Sequence, residues 1–139
     1  MNVAQLSIAH RIVCIDRTVC RGAHVPGPIS PVPGAPDWLL GAWGYLGRVV
    51  SVVDLARMAG WGAVSRPVGT ILLIELGREL LAIAADQDLG EARVAHPHRS
   101  DGLFDPIETD PAQAEPPLLL EVARLPLEFE AALLRGPRR

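Results

Sequence analysis

A chain of 139 residues, 49% of them hydrophobic and 21% charged, is sized for one domain, residues 1–139, and is too apolar to be disordered throughout. Its net charge is −3 and all thirteen of its cationic residues are arginine, with no basic stripe to follow a nucleic-acid backbone. No apolar run reaches the ~20 residues of a membrane span, no secretory leader is visible, and two cysteines make no disulfide framework, so a soluble cytoplasmic protein is expected.

Residues 3–9 alternate apolar and polar, the two-residue period of a half-buried strand, and His10-Arg11 reads as a hairpin turn. Residues 12–15 form a second apolar run and residues 18–21 a shorter third strand. Five prolines break residues 25–36 into extended loop, with a rigid turn from Pro33 to Pro36. An apolar stretch, Trp38 to Gly41, leads into a glycine-flanked reversal, Gly44-Tyr45-Leu46-Gly47. The valine-rich residues 49–53 follow as a strand suited to a buried, pleated position. Asp54 is placed to cap a short helix over residues 55–59, which Gly60 ends.

Residues 70–76 read as a strand, Gly77-Arg78 as a hairpin turn, and residues 79–84 as its antiparallel return. Asp86 and Asp88 mark a turn after that hairpin. Residues 92–95 form a weak strand. Five prolines and many acids make residues 96–117 a long loop, whose acidic part from Asp101 to Glu115 is expected to stay solvated. A strand over 118–123 and a helix over 127–134, acidic early and closed by Arg135, complete the chain. Seven to nine short strands at turn spacings near ten residues point to an all-β barrel or sandwich.

Side chains with chemistry are sparse. Cys14, Cys20 and His24, helped by His96 or His98, form a conceivable metal or small-ligand set, but their spacing matches no zinc pattern. Small buried cysteines and surface histidines are the plainer reading. No Ser-His-Asp pattern and no phosphate-cradling glycine loop occurs. Trp38 suits a core; Trp43 and Tyr45 suit core or interface equally; Trp61, after the short helix, is expected on an exposed loop.

The ordered run Pro31-Val32-Pro33-Gly34-Ala35-Pro36, then Leu39-Leu40-Gly41, Gly47, Val49-Val50, Val52-Val53 and Asp54-Leu55 resembles the signature of the CheW-like family of bacterial chemotaxis coupling proteins. Residues 71–86 and 118–134 resemble that family's second hairpin and its last strand and helix. Where the family usually has Asn-Leu-Arg-Gly, this chain has Gly44-Tyr45-Leu46-Gly47, and Ser51 replaces a proline. The resemblance implies an all-β fold of two intertwined five-stranded SH3-like barrels, with short helices after Asp54 and at the C-terminus. It also implies a scaffold without cofactor or catalysis, coupling the helical tip of a chemoreceptor to the regulatory domain of a CheA-type histidine kinase. A non-flagellar pathway such as twitching or development is the variant that the missing Asn and Arg favour. Carried over by position, the receptor groove involves Val19, Arg21, Gly41, Leu46, Arg48, Ile71 and Leu72. Leu46 in place of arginine exchanges a hydrogen-bonding fork for apolar area, so the expected partner has a less acidic helix face.

Overall fold

The computed structural model describes residues 1–95, 102–107 and 115–135. In chain order these form β1 (Asn2–Ile8), β2 (Arg11–Asp16), a 3-10 turn (Arg17–Val19), β3 (Cys20–His24), β4 (Leu39–Tyr45), β5 (Arg48–Val53), α1 (Leu55–Ala59), β6 (Thr70–Leu76), β7 (Glu79–Ala85), β8 (Gln87–Arg93), β9 (Phe104–Pro106), β10 (Leu118–Leu120), a second 3-10 turn (Val122–Arg124) and α2 (Leu125–Arg135). The strands make two five-stranded sheets, ordered β8-β1-β2-β10-β9 and β3-β6-β7-β5-β4. The chain starts in the first sheet, builds the whole of the second, and returns to finish the first. This is the intertwined all-β arrangement expected from the signature.

One apolar core joins the sheets. Leu6, Ile8, Val13 and Ile15 of the first meet Val50, Val52, Leu73, Ile74 and Ile83 of the second. Alternate residues of β1, β2 and β10 point the other way, where Val3, Cys14 and Leu119 close over Ile107 in a smaller cluster. Burial on both faces is why residues 12–15 are apolar without alternation. In the second sheet β5 alternates instead: Val50 and Val52 are buried, whereas Val49 lies open to solvent, against the expectation for the whole valine run.

Three two-residue hairpins set the registers. Ile8 pairs with Arg11, so the first turn is Ala9-His10, one residue earlier than expected. Both turn residues take positive φ, 48° and 67°, the left-handed geometry that matches strand twist. Leu46-Gly47 turns β4 into β5, and Gly77-Arg78 turns β6 into β7. Gly41 sits at a β4 bulge where Ser30 crosses to pair with Ala42; a Cβ at Gly41 would lie 2.3 Å from the Ser30 carbonyl oxygen.

Two aspartates tie loops to this frame. The Asp54 carboxylate accepts from the amides of Ala56 (3.0 Å), Arg57 (3.2 Å) and Val64 (3.1 Å), capping α1 and pinning the loop beyond it. Gly60 ends the helix in left-handed geometry. The Asp86 carboxylate accepts from Ala9 (2.8 Å) and Ser65 (2.6 Å), holding the strained first turn and the segment before β6.

Other elements differ from expectation. The third strand begins only after a 3-10 turn. The weak strand at 92–95 is the end of a seven-residue β8. The stretch read as solvated loop contains β9, paired with β10, and Asp105 within it is buried beside Leu103 and Ile107. The last strand stops at Leu120, and α2 begins at Leu125. Trp61, expected on an open loop, is half-buried against Phe104 at 4.7 Å, with the Arg11 guanidinium 4.9 Å above its ring.

Candidate docking groove

Two edge strands, one from each sheet, face a common hollow. β8 ends the first sheet, β3 ends the second, and the 3-10 turn at Arg17–Val19 bridges them at one end. Between them runs a groove of about 300 Å³, lined by Ala4, Leu72, Cys20, Gly22, Ala23 and the β8 residues Asp88, Gly90 and Glu91, with Arg17 at its end. A wider hollow of about 540 Å³, lined by Met1, Asn2, Asp16 and Thr18, continues from it and shares Arg17 and Cys20.

The local sequence explains this shape. Both edges are bulged at glycine: pairing shifts between Cys20 and Ala23 around Gly22, and opposite the Gln5–Leu6 step next to Gly90. Gly22 and Gly90 take φ of 109° and 85°, open to glycine at little cost. Small residues on both rims leave the floor, Leu72, within reach although it is only 3% exposed.

Charge is arranged across the opening. Arg17 reaches over to Glu91 at 2.7 Å, joining the bridging turn to β8. Arg21, on the β3 rim, pairs with Glu75 of β6 and donates to the carbonyls of Thr18 (3.0 Å) and Cys20 (2.9 Å). Asp16 caps the 3-10 turn, accepting from the Thr18 amide and hydroxyl at 3.0 and 2.9 Å. Asp88 accepts from the Gly90 amide at 2.9 Å and has no cationic partner among the described residues.

The residues expected at a receptor groove fall into three places. Val19, Arg21 and Leu72 lie at or beside the groove. Leu46 and Arg48 lie at the β4–β5 hairpin, where Leu46 is 84% exposed. Gly41 and Ile71 are buried: Gly41 is a backbone crossing under Ser30, and Ile71, 0% exposed, packs in the common core. Neither presents a surface to a partner, which corrects that part of the expectation. Beside the hairpin, His24 at the end of β3 meets Trp43 (5.6 Å) and Tyr45 (5.1 Å) of β4, so the two outer strands of the second sheet close on an aromatic cluster.

The cysteines and His24 are not gathered. Cys14 belongs to the smaller cluster, where Gln5 approaches its sulfur at 3.8 Å, whereas Cys20 lines the groove. Both are free thiols. Burial pushes the Cys14 thiol up, against the Gln5 hydrogen bond. Burial likewise pushes Cys20 up to about 11; the carboxylates of Asp16 and Glu91 add to this, and Arg17 and Arg21 oppose it. Such thiols stay protonated at neutral pH and are poor nucleophiles or ligands. Among the described residues no three of His, Cys, Asp and Glu converge as a metal requires. His96 and His98 lie outside those residues.

Sequence reasoning missed the β8 wall and Arg17. β8 is exposed at every position except Ala92, so it carries no apolar period. The one usable signal was Asp88 followed by Gly90, an Asx turn before a bulge glycine.

Comparison with known proteins places this geometry. The family model described as CheW-like domain matches residues 5–97. The crystal structure of the scaffolding protein TtCheW from Thermoanaerobacter tengcongensis has the same fold, with a TM-score of 0.73 over 89% of this chain and 90% of that one at 17% identity. No curated protein matches the chain in sequence.

Proposed function

Because the chain belongs to the CheW-like family, we propose that it is a non-catalytic adaptor that couples the helical cytoplasmic tip of a chemoreceptor to the regulatory domain of a CheA-type histidine kinase. Residues 1–139 act as one domain of two barrel subdomains. The observation that carries this reading is the groove between β3 and β8, where two bulged edges leave a shallow apolar floor with charged rims. A helix lying there buries apolar side chains on Leu72, Ala4 and Ala23, and rim charges select among partners. The thiol that lines the groove, Cys20, is pushed up to about 11 by burial and so stays protonated at neutral pH. Among the described residues no helix is long and apolar enough to cross a membrane. The exposed β4–β5 hairpin, with Leu46, Arg48 and Val49, is a second surface available for the same assembly.

The test is reconstitution. Full-length protein is mixed with a receptor cytoplasmic fragment and a chemosensory histidine kinase from the same cell, and sedimentation and kinase autophosphorylation are measured. A ternary complex with altered autophosphorylation is expected. Failure to bind either component would overturn the reading. A complex formed only with components of a twitching or developmental pathway would assign the adaptor there.

A further inference from the structure

We propose that the groove between β3 and β8 selects a partner helix whose apolar seam is flanked by lysine or arginine, and that Asp88 reads that charge. This rests on the helix-docking reading above and goes beyond it by stating the chemistry of the occupant.

Three observations carry it. First, the one cation that lines the groove, Arg17, and its neighbour outside the lining, Arg21, are already paired. Arg17 spans to Glu91 at 2.7 Å, and Arg21 on the β3 rim pairs with Glu75. Among the described residues that line the groove, an acidic flank entering here finds no unpaired guanidinium and meets the uncompensated charge of Asp88. Arg93, at the far end of β8, lies outside the lining. Second, Asp88 is exposed and without a cationic partner among the described residues. Its Oδ1 accepts from the Gly90 amide, and its Oδ2 has no hydrogen-bond donor among the described residues. The groove itself holds one guanidinium against two carboxylates. Third, the rims suit a helix and resist a strand. The bulges at Gly22 and Gly90 interrupt the ladder that an added strand would need. The small side chains of Ala4 and Ala23 and the bare glycines let a helix backbone approach the Leu72 floor. Charge complementarity at a rim sets partner choice and encounter rate more than total affinity. The occupant that gains most is therefore a helix with an apolar seam and a basic flank toward β8.

The experiment uses the full-length protein and two synthetic helical hairpins with the same leucine/alanine seam. One carries lysine at the flanking positions and the other glutamate. Binding is titrated at low and at high salt, because exposed pairs weaken with screening. The lysine hairpin is expected to bind about tenfold tighter than the glutamate hairpin at low salt. Asp88→Asn keeps an oxygen for the Gly90 amide and removes only the charge; it should weaken lysine-hairpin binding about threefold. An unchanged circular dichroism melt for Asp88→Asn would confirm that the fold persists. Equal or tighter binding of the glutamate hairpin, or a lysine preference untouched by Asp88→Asn, would overturn the charge selection while helix docking stands. Binding of neither hairpin would overturn both.

Discussion

Trp38 and Phe129 lie face to face, their ring centroids 5.2 Å apart and their planes within 9° of parallel. Trp38 opens the stretch leading into β4, and Phe129 sits midway along α2, so this contact fastens the C-terminal helix to the second sheet. Leu125 and Ala132, four residues before and three after Phe129, are buried on the same side of the helix. Phe129→Ala should therefore cost about 2 kcal/mol, less than a fully buried phenylalanine because the ring is half-exposed. A urea melt should show a lower midpoint with an unchanged slope. A midpoint equal to wild type would mean that α2 is not fastened through this pair.

Gly41 and Gly44 lie three residues apart on β4 but should respond oppositely to the same change. A Cβ at Gly41 meets the Ser30 carbonyl oxygen at 2.3 Å, and its φ of 149° disfavours a side chain. Gly44 has nothing within 4 Å. Gly41→Ala should cost about 3 kcal/mol through forced backbone movement, and Gly44→Ala should leave the thermal midpoint close to wild type. Two equal melts would show that the Ser30–Ala42 bridge yields freely.

The Asp86 carboxyl experiences opposed effects. Burial by itself raises it, but the amide hydrogen bonds from Ser65 and Ala9, with the Ser65 side chain and nearby His10, outweigh burial and hold it below its ordinary value of 3.8. A carboxyl depressed in the folded state contributes stability that is present above the unfolded value and is lost as pH falls through the folded one. Asp86→Asn should cost about 1–2 kcal/mol at pH 6. The gap between variant and wild type should then narrow as pH drops below 3.8. Guanidinium titrations at pH 6 and pH 3 measure it, and a gap that widens in acid would contradict this account.

Leu46 stands at the tip of the β4–β5 hairpin, 84% exposed and at a φ of 47°. Because it contributes nothing to the core, Leu46→Glu should leave the melt within about 0.5 kcal/mol of wild type. It should also weaken binding to a receptor fragment several-fold, since a charge replaces apolar area at the position where the family usually has arginine. A pull-down with both proteins checks this, and undiminished capture by the variant would remove the hairpin tip from the docking surface.

Most of the fold was legible where the chain speaks in a period or in a backbone restriction. The two-residue alternation of β1, the uninterrupted apolar run of β6, the Gly77 turn and the Asp54 cap all correspond to local physics: pleat, two-sided burial, left-handed φ and an orphan amide. The signature from Pro31 to Leu55 placed the β4–β5 hairpin and α1 together. Misreadings fell where local signals are weak. The first turn was displaced by one residue because Ala9 and His10 carry no glycine to announce a positive φ. Asp105 looked like part of a solvated acidic loop because nothing local shows that β9 will be covered by neighbours distant in the chain.

The candidate groove follows the same division. Composition and apolar pattern were enough to determine a β-rich molecule with a substantial core. They could not determine which surface is left open. An edge strand such as β8 is wetted on both faces, so no alternation distinguishes it from loop, and its place beside β3 depends on the chain crossing to the second sheet and back. Burial of Ile71 beside a barely exposed Leu72, the span from Arg17 to Glu91, and an Asp88 carboxylate unpaired among the described residues arise only when residues seventy positions apart are packed together. Those relations are tertiary, because the free energy that sets them comes from the shared core and not from any segment taken alone.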